Sequence, residues 1–407
     1  MTTQTSNKKT PGHIWGMHPN VFFLGLVSLL TDISSEMIFT LVPLVVVNLL
    51  GGGALAVGFI GGATDCFDAF FRVFSGRISD KLGKRKILAV LGYGFSTIAK
   101  PFMLLSTAWG AVLGVRLADR LGKGVRSSPR DALIADSVTA ETRGRNFGFH
   151  RAMDTAGAML GLILAAIIIY TKQGEALDLT KDAYRWLVIV GIIPAVISVI
   201  LLITLVKEKA RVKKNGDEAA AAGSKTPFSR QFKLFLFIMA IFTLGNSSDF
   251  FVILRAQDLN VTAVNITIML VIFNLTYVLV SVPAGMLSDK MGRRKIIGIG
   301  WAIYALSYLG FAVSNTVWHM WLLFALYGIY YGIVEGAAKA YVADLVPAER
   351  RGTAYGYFNG LVGMFILPAS VLAGWLWEVI SPAIPFYLGA ALAAVAGISM
   401  MIVLKEK

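Results

Sequence analysis

The chain has 407 residues, 56% of them hydrophobic and only 15% charged, and its mean hydropathy is +0.68. That balance excludes a soluble globular domain of this length and predicts a polytopic helical membrane protein. The formal net charge of +14 is spread over many loops rather than gathered in one basic tract, which excludes a nucleic-acid partner, and the single cysteine, Cys66, excludes an intrachain disulfide and a cysteine metal cluster.

The polar N-terminus, MTTQTSNKKTPGHIWGMHPN, has no small-residue cleavage site behind an apolar stretch, so the first span is expected to serve as an uncleaved insertion signal. Twelve hydrophobic segments follow, at roughly 20–49, 55–79, 86–106, 110–136, 144–171, 184–206, 232–257, 262–288, 295–314, 317–345, 352–379 and 383–404. The first, SLLTDISSEMIFTLVPL at its centre, places Asp32 and Glu36 on one helical face. A charge at mid-membrane costs roughly 2.5–3.5 kcal/mol on insertion scales, so this face must meet protein or water rather than lipid. The second segment carries Asp65, Asp68 and Arg72 along one face, and the third carries Lys100. The fourth is the richest: Arg116, Asp119, Arg120, Lys123, Arg126, Arg130 and Asp131 fall within about 140° of helical arc. The fifth adds His150, Arg151 and Asp154. The second half is poorer, with Asp249 and Arg255 in the seventh segment and Glu335 four residues before Lys339 in the tenth. Buried ion pairs that set helix register, and cations reaching for the headgroups from helix ends, explain part of this inventory, above all Arg72, Arg126, Arg130 and Asp131.

The loops alternate. One set carries Lys81, Lys84, Arg85 and Lys86, then Arg143 and Arg145, then Lys290, Arg293, Arg294 and Lys295, then Arg350 and Arg351; the other set, with NLLGGGAL, STAWG, SNTVWH and SPAIP, lacks Lys and Arg, and TKQGEALDLTKDAYR at 171–185 is mixed. The positive-inside rule then puts both termini and the basic loops in the cytoplasm. After six segments, residues 207–231 are charged, rich in Ala, Gly and Ser, and without hydrophobic period, which predicts a cytoplasmic linker between an N-terminal half, 1–206, and a C-terminal half, 232–407. The halves repeat. GRISDKLGKRKI at 76–87 answers GMLSDKMGRRKI at 285–296, ADSVTAETRG at 135–144 answers ADLVPAERRG at 343–352, and SSEM at 34–37 answers SSDF at 247–250. Offsets of 209, 208 and 213 are nearly one period, so two six-helix bundles related by a pseudo-two-fold axis along the membrane normal are expected.

At these residues the sequence resembles the major facilitator superfamily. The loop motif G-x-x-x-D-(R/K)-x-G-x-(R/K)-(R/K) is matched by Gly76, Asp80, Lys81, Gly83, Arg85 and Lys86, and again by Gly285, Asp289, Lys290, Gly292, Arg294 and Lys295. The resemblance covers nearly the whole chain and implies an all-α, 12-helix secondary transporter working by alternating access. It implies that the motif latches one bundle to the other. Asp80 would sit near the start of segment 11 around Thr353, Asp289 near the start of segment 5 around Arg145, Arg85 would reach Asp136, and Arg294 would reach Asp344. It also implies a central cavity lined by segments 1, 4, 7 and 10. The substrate-binding candidates are Asp32, Glu36, Asp65, Asp68, Arg116, Arg120, Asp249, Glu335 and Lys339. The proton-coupling candidates are Asp32, Glu36, His150 and Asp154, because a buried carboxylate without a partner, or an imidazole, readily exchanges a proton.

Two departures matter. The family's segment 4 arginine, four residues before a glycine, fits Arg120 with Gly124, while Arg116 stands one turn earlier, and the choice stays open. The antiporter motif of segment 5, G-x-x-x-G-P-x-x-G-G, keeps only Gly157 and Gly161, which weakens the case for drug–proton antiport. The absence of G-x-x-x-x-G-K-(S/T), H-E-x-x-H and G-x-S-x-G excludes a primary pump and the common membrane hydrolases. The expectation is a monomeric, proton-coupled carrier in the cytoplasmic membrane, without cofactor or metal, moving an anionic or zwitterionic small solute. The alternative is an exporter of amphiphilic drugs or metal chelates.

Overall fold

A computed structural model describes residues 14, 17–82, 85–139, 142–208, 228–347 and 350–404, excluding the side chains of 72–82, 143 and 144. Twelve long helices account for nearly all of them: α1 (Pro19–Leu49), α2 (Ala54–Leu82), α3 (Arg85–Leu105), α4 (Trp109–Ser137), α5 (Arg143–Gln173), α6 (Lys181–Leu205), α7 (Arg230–Asp258), α8 (Ala263–Met291), α9 (Arg293–Val313), α10 (Val317–Leu345), α11 (Arg351–Val379) and α12 (Ile384–Val403). They begin where local chemistry favours a start. Pro19 opens α1, and the hydroxyls of Thr180, Ser229 and Thr262 accept hydrogen bonds from the backbone N–H of Ala183, Phe232 and Asn265. Gly292 takes φ +92° in the short turn between α8 and α9, a conformation that favours its missing side chain.

Among the described residues, eleven helices are long and apolar enough to cross a membrane. The exception, α4, has the same length as several others but too much charge, and it is carried inside, with Arg116, Asp119 and Arg126 each 4% exposed. The apolar side chains left outward, such as Ile98, Leu279, Val282, Trp318 and Ile402, form the lipid-facing coat. Most of the linker expected at 207–231 lies outside the described residues, and so does the side chain of Asp80.

Three helices are interrupted where hydropathy reads them as continuous. In α1 the α-helix ends at Phe39, resumes over Val42–Leu44 with Pro43 in its first turn, and widens over Val45–Leu49. In α3 it tightens to a 3-10 turn over Lys100–Leu105, at Pro101. In α7 it stops at Gly245 and restarts at Phe250. Asn246, Ser247, Ser248 and Asp249 span the gap, residues whose side chains compete for backbone hydrogen bonds. Here the N–H of Ser248 donates to Ser370 Oγ of α11 at 3.0 Å instead of to its own helix.

Within the first half α1 packs on α5 and α6, α2 on α4, and α3 on α4; within the second, α8 packs on α10, α9 on α12 and α10, and α7 on α12 and α11. The glycines left from the degraded segment 5 motif serve this packing. A Cβ on Gly157 would stand 2.9 Å from Leu29 Cα, and one on Gly161 2.6 Å from the Ile33 carbonyl oxygen, so α1 and α5 touch backbone to backbone. The halves meet along α2 with α11 and α5 with α8. At the end away from the basic loops they are clasped. Gln257 of α7 donates to Asn48 Oδ1 and Asp178 Oδ1, both at 3.0 Å, Asn48 donates to Asp178 at 2.7 Å, and the Leu55 N–H donates to Glu378 at 2.9 Å. At the basic-loop end, among the described residues, no neighbouring element lies within 4 Å of where a Cβ would stand on Gly352, Gly356 or Gly360 of α11, and Tyr357 is 58% exposed.

Candidate functional site

Between the halves, beneath the clasp, lies a cavity of about 250 Å³. Its walls come from α1, α4, α5, α7, α8 and α10, so the four expected segments are joined by Leu162 of α5 and by Leu270, Phe273 and Asn274 of α8. On the first-half side Asp32, Ser35, Glu36, Phe39 and Thr40 of α1 face Arg116, Asp119, Arg120, Lys123 and Arg126 of α4. On the other side stand Asp249 and Phe250, at the break in α7, and Tyr327 of α10.

The charges are held in different ways. Arg116 is 4% exposed, and its guanidinium lies over the Phe39 ring at 4.7 Å and near the Phe250 ring at 5.9 Å. Among the described residues no carboxylate or carbonyl is within ion-pair or hydrogen-bond reach of it, and its Nε is buried without an acceptor. Arg120 has a distant partner in Asp65, at 3.9 Å, and Arg126 lies over the Tyr93 ring at 4.3 Å. Asp119 accepts from Ser96, and Glu36 accepts from Thr40. Asp249 accepts from Tyr327 at 2.6 Å and from Tyr331 at 3.1 Å. Behind α1, the fully buried Lys100 donates to Ser34 Oγ at 2.6 Å and Ser35 Oγ at 3.2 Å, so an ammonium backs the helix that carries Asp32 and Glu36.

Not every candidate residue joins the cavity. Asp65 and Asp68 of α2 do not line it; Asp65 stands behind Arg120. Glu335 and Lys339 pair with each other at 2.8 Å, outside the cavity. Glu335 also accepts from Tyr277 at 2.6 Å and faces Arg151 of α5 at 3.5 Å, which makes a link between the halves. His150 and Asp154 face each other at 3.6 Å on α5, also off the lining. In the motif loops Arg85 reaches Asp136. The second half differs from the expected pairing of Arg294 with Asp344. Arg293 meets Asp344 at 3.4 Å and Asp289 at 2.5 Å, while Arg294 donates to the Leu404 carbonyl. Arg293 is the first residue of α9, and one residue further on the side chain is turned by about 100°. Asp289 is thereby engaged within its own half.

The aromatic share of the site was missed from sequence. Phe39, Phe250, Phe273 and Tyr327 lie among many other apolar side chains of their segments, where an aromatic facing a cavity has the same signature as one facing lipid. The run YGIYYG at 327–332 was the one local signal, since three hydroxyls in a membrane segment need partners.

A family model described as the Major Facilitator Superfamily matches residues 24–255 and 234–407. An uncharacterized MFS-type transporter of Methanocaldococcus jannaschii is 41% identical over 393 residues, 94% of each chain. The quinolone resistance protein NorA of Staphylococcus aureus is 26% identical over 150 residues, 37% of this chain and 38% of that protein. Among solved structures, a D-xylose–proton symporter superposes with a TM-score of 0.73 at 15% identity, covering 95% of this chain and 97% of the other; the nucleoside transporter NupG does so with 0.69 at 15%, covering 95% and 99%.

Proposed function

The chain belongs to the Major Facilitator Superfamily and is a multi-pass membrane transporter, not an enzyme; from that premise we propose that it is a proton-coupled carrier for a small anionic or zwitterionic solute. Arg116 carries the reading. A guanidinium that is buried, unpaired and pointed at a cavity is costly unless an anion completes it, and the costliest buried groups are commonly those that bind. Asp32 and Glu36 on the opposite wall supply the proton site: among the described residues neither has a cation within ion-pair distance, so either is free to exchange a proton as the solute binds.

Alternating access follows from the two ends. With both termini and the basic loops cytoplasmic, the clasped end is the outer one and the end where Tyr357 is exposed the inner one, which among the described residues supports an inward-open arrangement of two half-bundles joined by the 207–231 linker and acting as a monomer. The motif pairs Arg85–Asp136 and Arg293–Asp289 stay within their halves in this state and exchange partners across the interface when the inner end closes. Asp80→Asn or Asp289→Asn is then expected to change transport kinetics, and unaltered kinetics in both would remove the latch.

The second reading, export of amphiphilic drugs or metal chelates by proton antiport, is favoured by the NorA match and by the phenylalanines in the lining. The two are separated by screening ligands on the purified protein by thermal stabilisation, then measuring flux in vesicles with a pH-sensitive dye. Stabilisation by small carboxylates or amino acids supports the first reading. Stabilisation confined to lipophilic cations sinks it.

A further inference from the structure

The two charged walls of the cavity differ in kind as well as sign. Asp249 sits at the N-terminal edge of the second half of α7, exposed to the cavity by the break in the helix. Its carboxylate is oriented by two phenols, Tyr327 Oη at 2.6 Å and Tyr331 Oη at 3.1 Å. The rings that carry those phenols form an aromatic corner with Phe273. Tyr327 and Tyr331 stand 5.3 Å apart and nearly perpendicular, and Phe273 lies 5.6 Å from one and 5.4 Å from the other. Among the described residues no cation reaches Asp249. A fixed carboxylate beside the faces and edges of several rings is the chemistry that recognises an ammonium, through one charge-assisted hydrogen bond and the ring quadrupoles.

Arg116 is the complementary pole. It comes from the other half of the molecule and approaches the ring of Phe250, the residue next to Asp249 in sequence. One pole is therefore an unpaired guanidinium and the other an unpaired carboxylate, facing one small cavity from opposite halves. We propose that the substrate is a small zwitterion whose ammonium docks on Asp249 among Phe273, Tyr327 and Tyr331 and whose anionic end docks on Arg116. This rests on the carrier reading and narrows its substrate class. Such a solute spans the interface between the halves, so its binding joins them at the cavity, whereas a solute with one charge leaves one pole unmatched.

The test uses three probes of one chain length: 5-aminopentanoate, pentanoate and pentylammonium. Each is titrated against the purified full-length protein by calorimetry. The wild type is expected to bind the zwitterion roughly tenfold more tightly than either single-charge probe, the gain from one cation–aromatic and charge-assisted contact. In Asp249→Asn the advantage over pentanoate disappears while pentanoate affinity stays; in Arg116→Gln the advantage over pentylammonium disappears. Asp249→Glu, which keeps the charge, is expected to retain part of the preference, and this separates loss of recognition from loss of fold. Pentanoate binding as tightly as the zwitterion overturns the ammonium site and leaves the anion reading standing. Failure of all three probes to bind overturns both. If Asp249→Asn weakens all probes alike, Asp249 holds Arg116 or the α7 break rather than the solute, and the proposal falls.

Discussion

Replacing Arg116 by Met separates a binding charge from a structural one, because the two roles predict opposite effects on stability. Arg116 is 4% exposed and its Nε has no acceptor, an omission that costs about 1–3 kcal/mol, and desolvating the charge adds several more. Against this stand two ring contacts. The one at 4.7 Å is worth about 1–2 kcal/mol, and the one at 5.9 Å, at the edge of the useful range, about 0.5 kcal/mol. The balance favours Met, which keeps most of the volume and the packing on Phe39 and Phe250, by about 1–3 kcal/mol. Arg116→Met is therefore expected to unfold at a higher temperature than the wild type in detergent, while affinity for pentanoate falls roughly 10–100-fold with the lost charge-assisted contact. Thermal unfolding followed by intrinsic tryptophan fluorescence, together with the calorimetric titration, reads both. A variant that unfolds earlier and binds normally would show that Arg116 is an internal structural ion, and the substrate reading built on it would be wrong.

Asp32→Asn or Glu36→Gln is expected to abolish proton-linked flux while counterflow exchange of solute persists; vesicles containing a pH-sensitive dye would show full coupling in both variants if neither carboxylate carries the proton. Gln257→Ala removes the side chain that bonds both Asn48 and Asp178, about 1–2 kcal/mol of clasp, so the clasped end should open roughly 5–30-fold more often. The readout is labelling of Ile253→Cys in a Cys66→Ser background by an impermeant maleimide from the clasped side, and an unchanged rate counts against the clasp. Gly157→Leu forces a side chain against the backbone of α1 at Leu29 and should cost about 1–3 kcal/mol, seen as a lower unfolding temperature; tolerance of leucine would mean that α1 and α5 are not held at contact.

Much of the architecture was legible in the order of residues. Eleven apolar runs of helical length among the described residues need no tertiary information, because a bilayer accepts only helices or closed barrels and the run length fixes the span. The repeat of GRISDKLGKRKI as GMLSDKMGRRKI showed the two halves, and the clustering of Arg116, Asp119 and Arg126 on one arc showed that α4 could not face lipid. The pairing of Arg85 with Asp136 was legible in the motif, but its counterpart was not. Arg293 and Arg294 are chemically alike, and the start of α9 alone decides which of them reaches Asp344.

The sequence by itself determined the solvent, the number of spans and which helix faces are too charged for hydrocarbon, since these depend on transfer energies summed along a chain. Tertiary structure alone decided which charges share a space. Asp65, Glu335 and Lys339 carry the same mid-helix signature as Asp32, Arg116 and Asp249, yet the first three find partners behind or beside the cavity and the last three line it. The breaks in α1 and α7, the rings around Asp249 and the packing of Arg116 between Phe39 and Phe250 depend on contacts between segments distant in the chain. Helical periodicity orients a side chain on its own helix, and it carries no information about what the neighbouring helix places opposite.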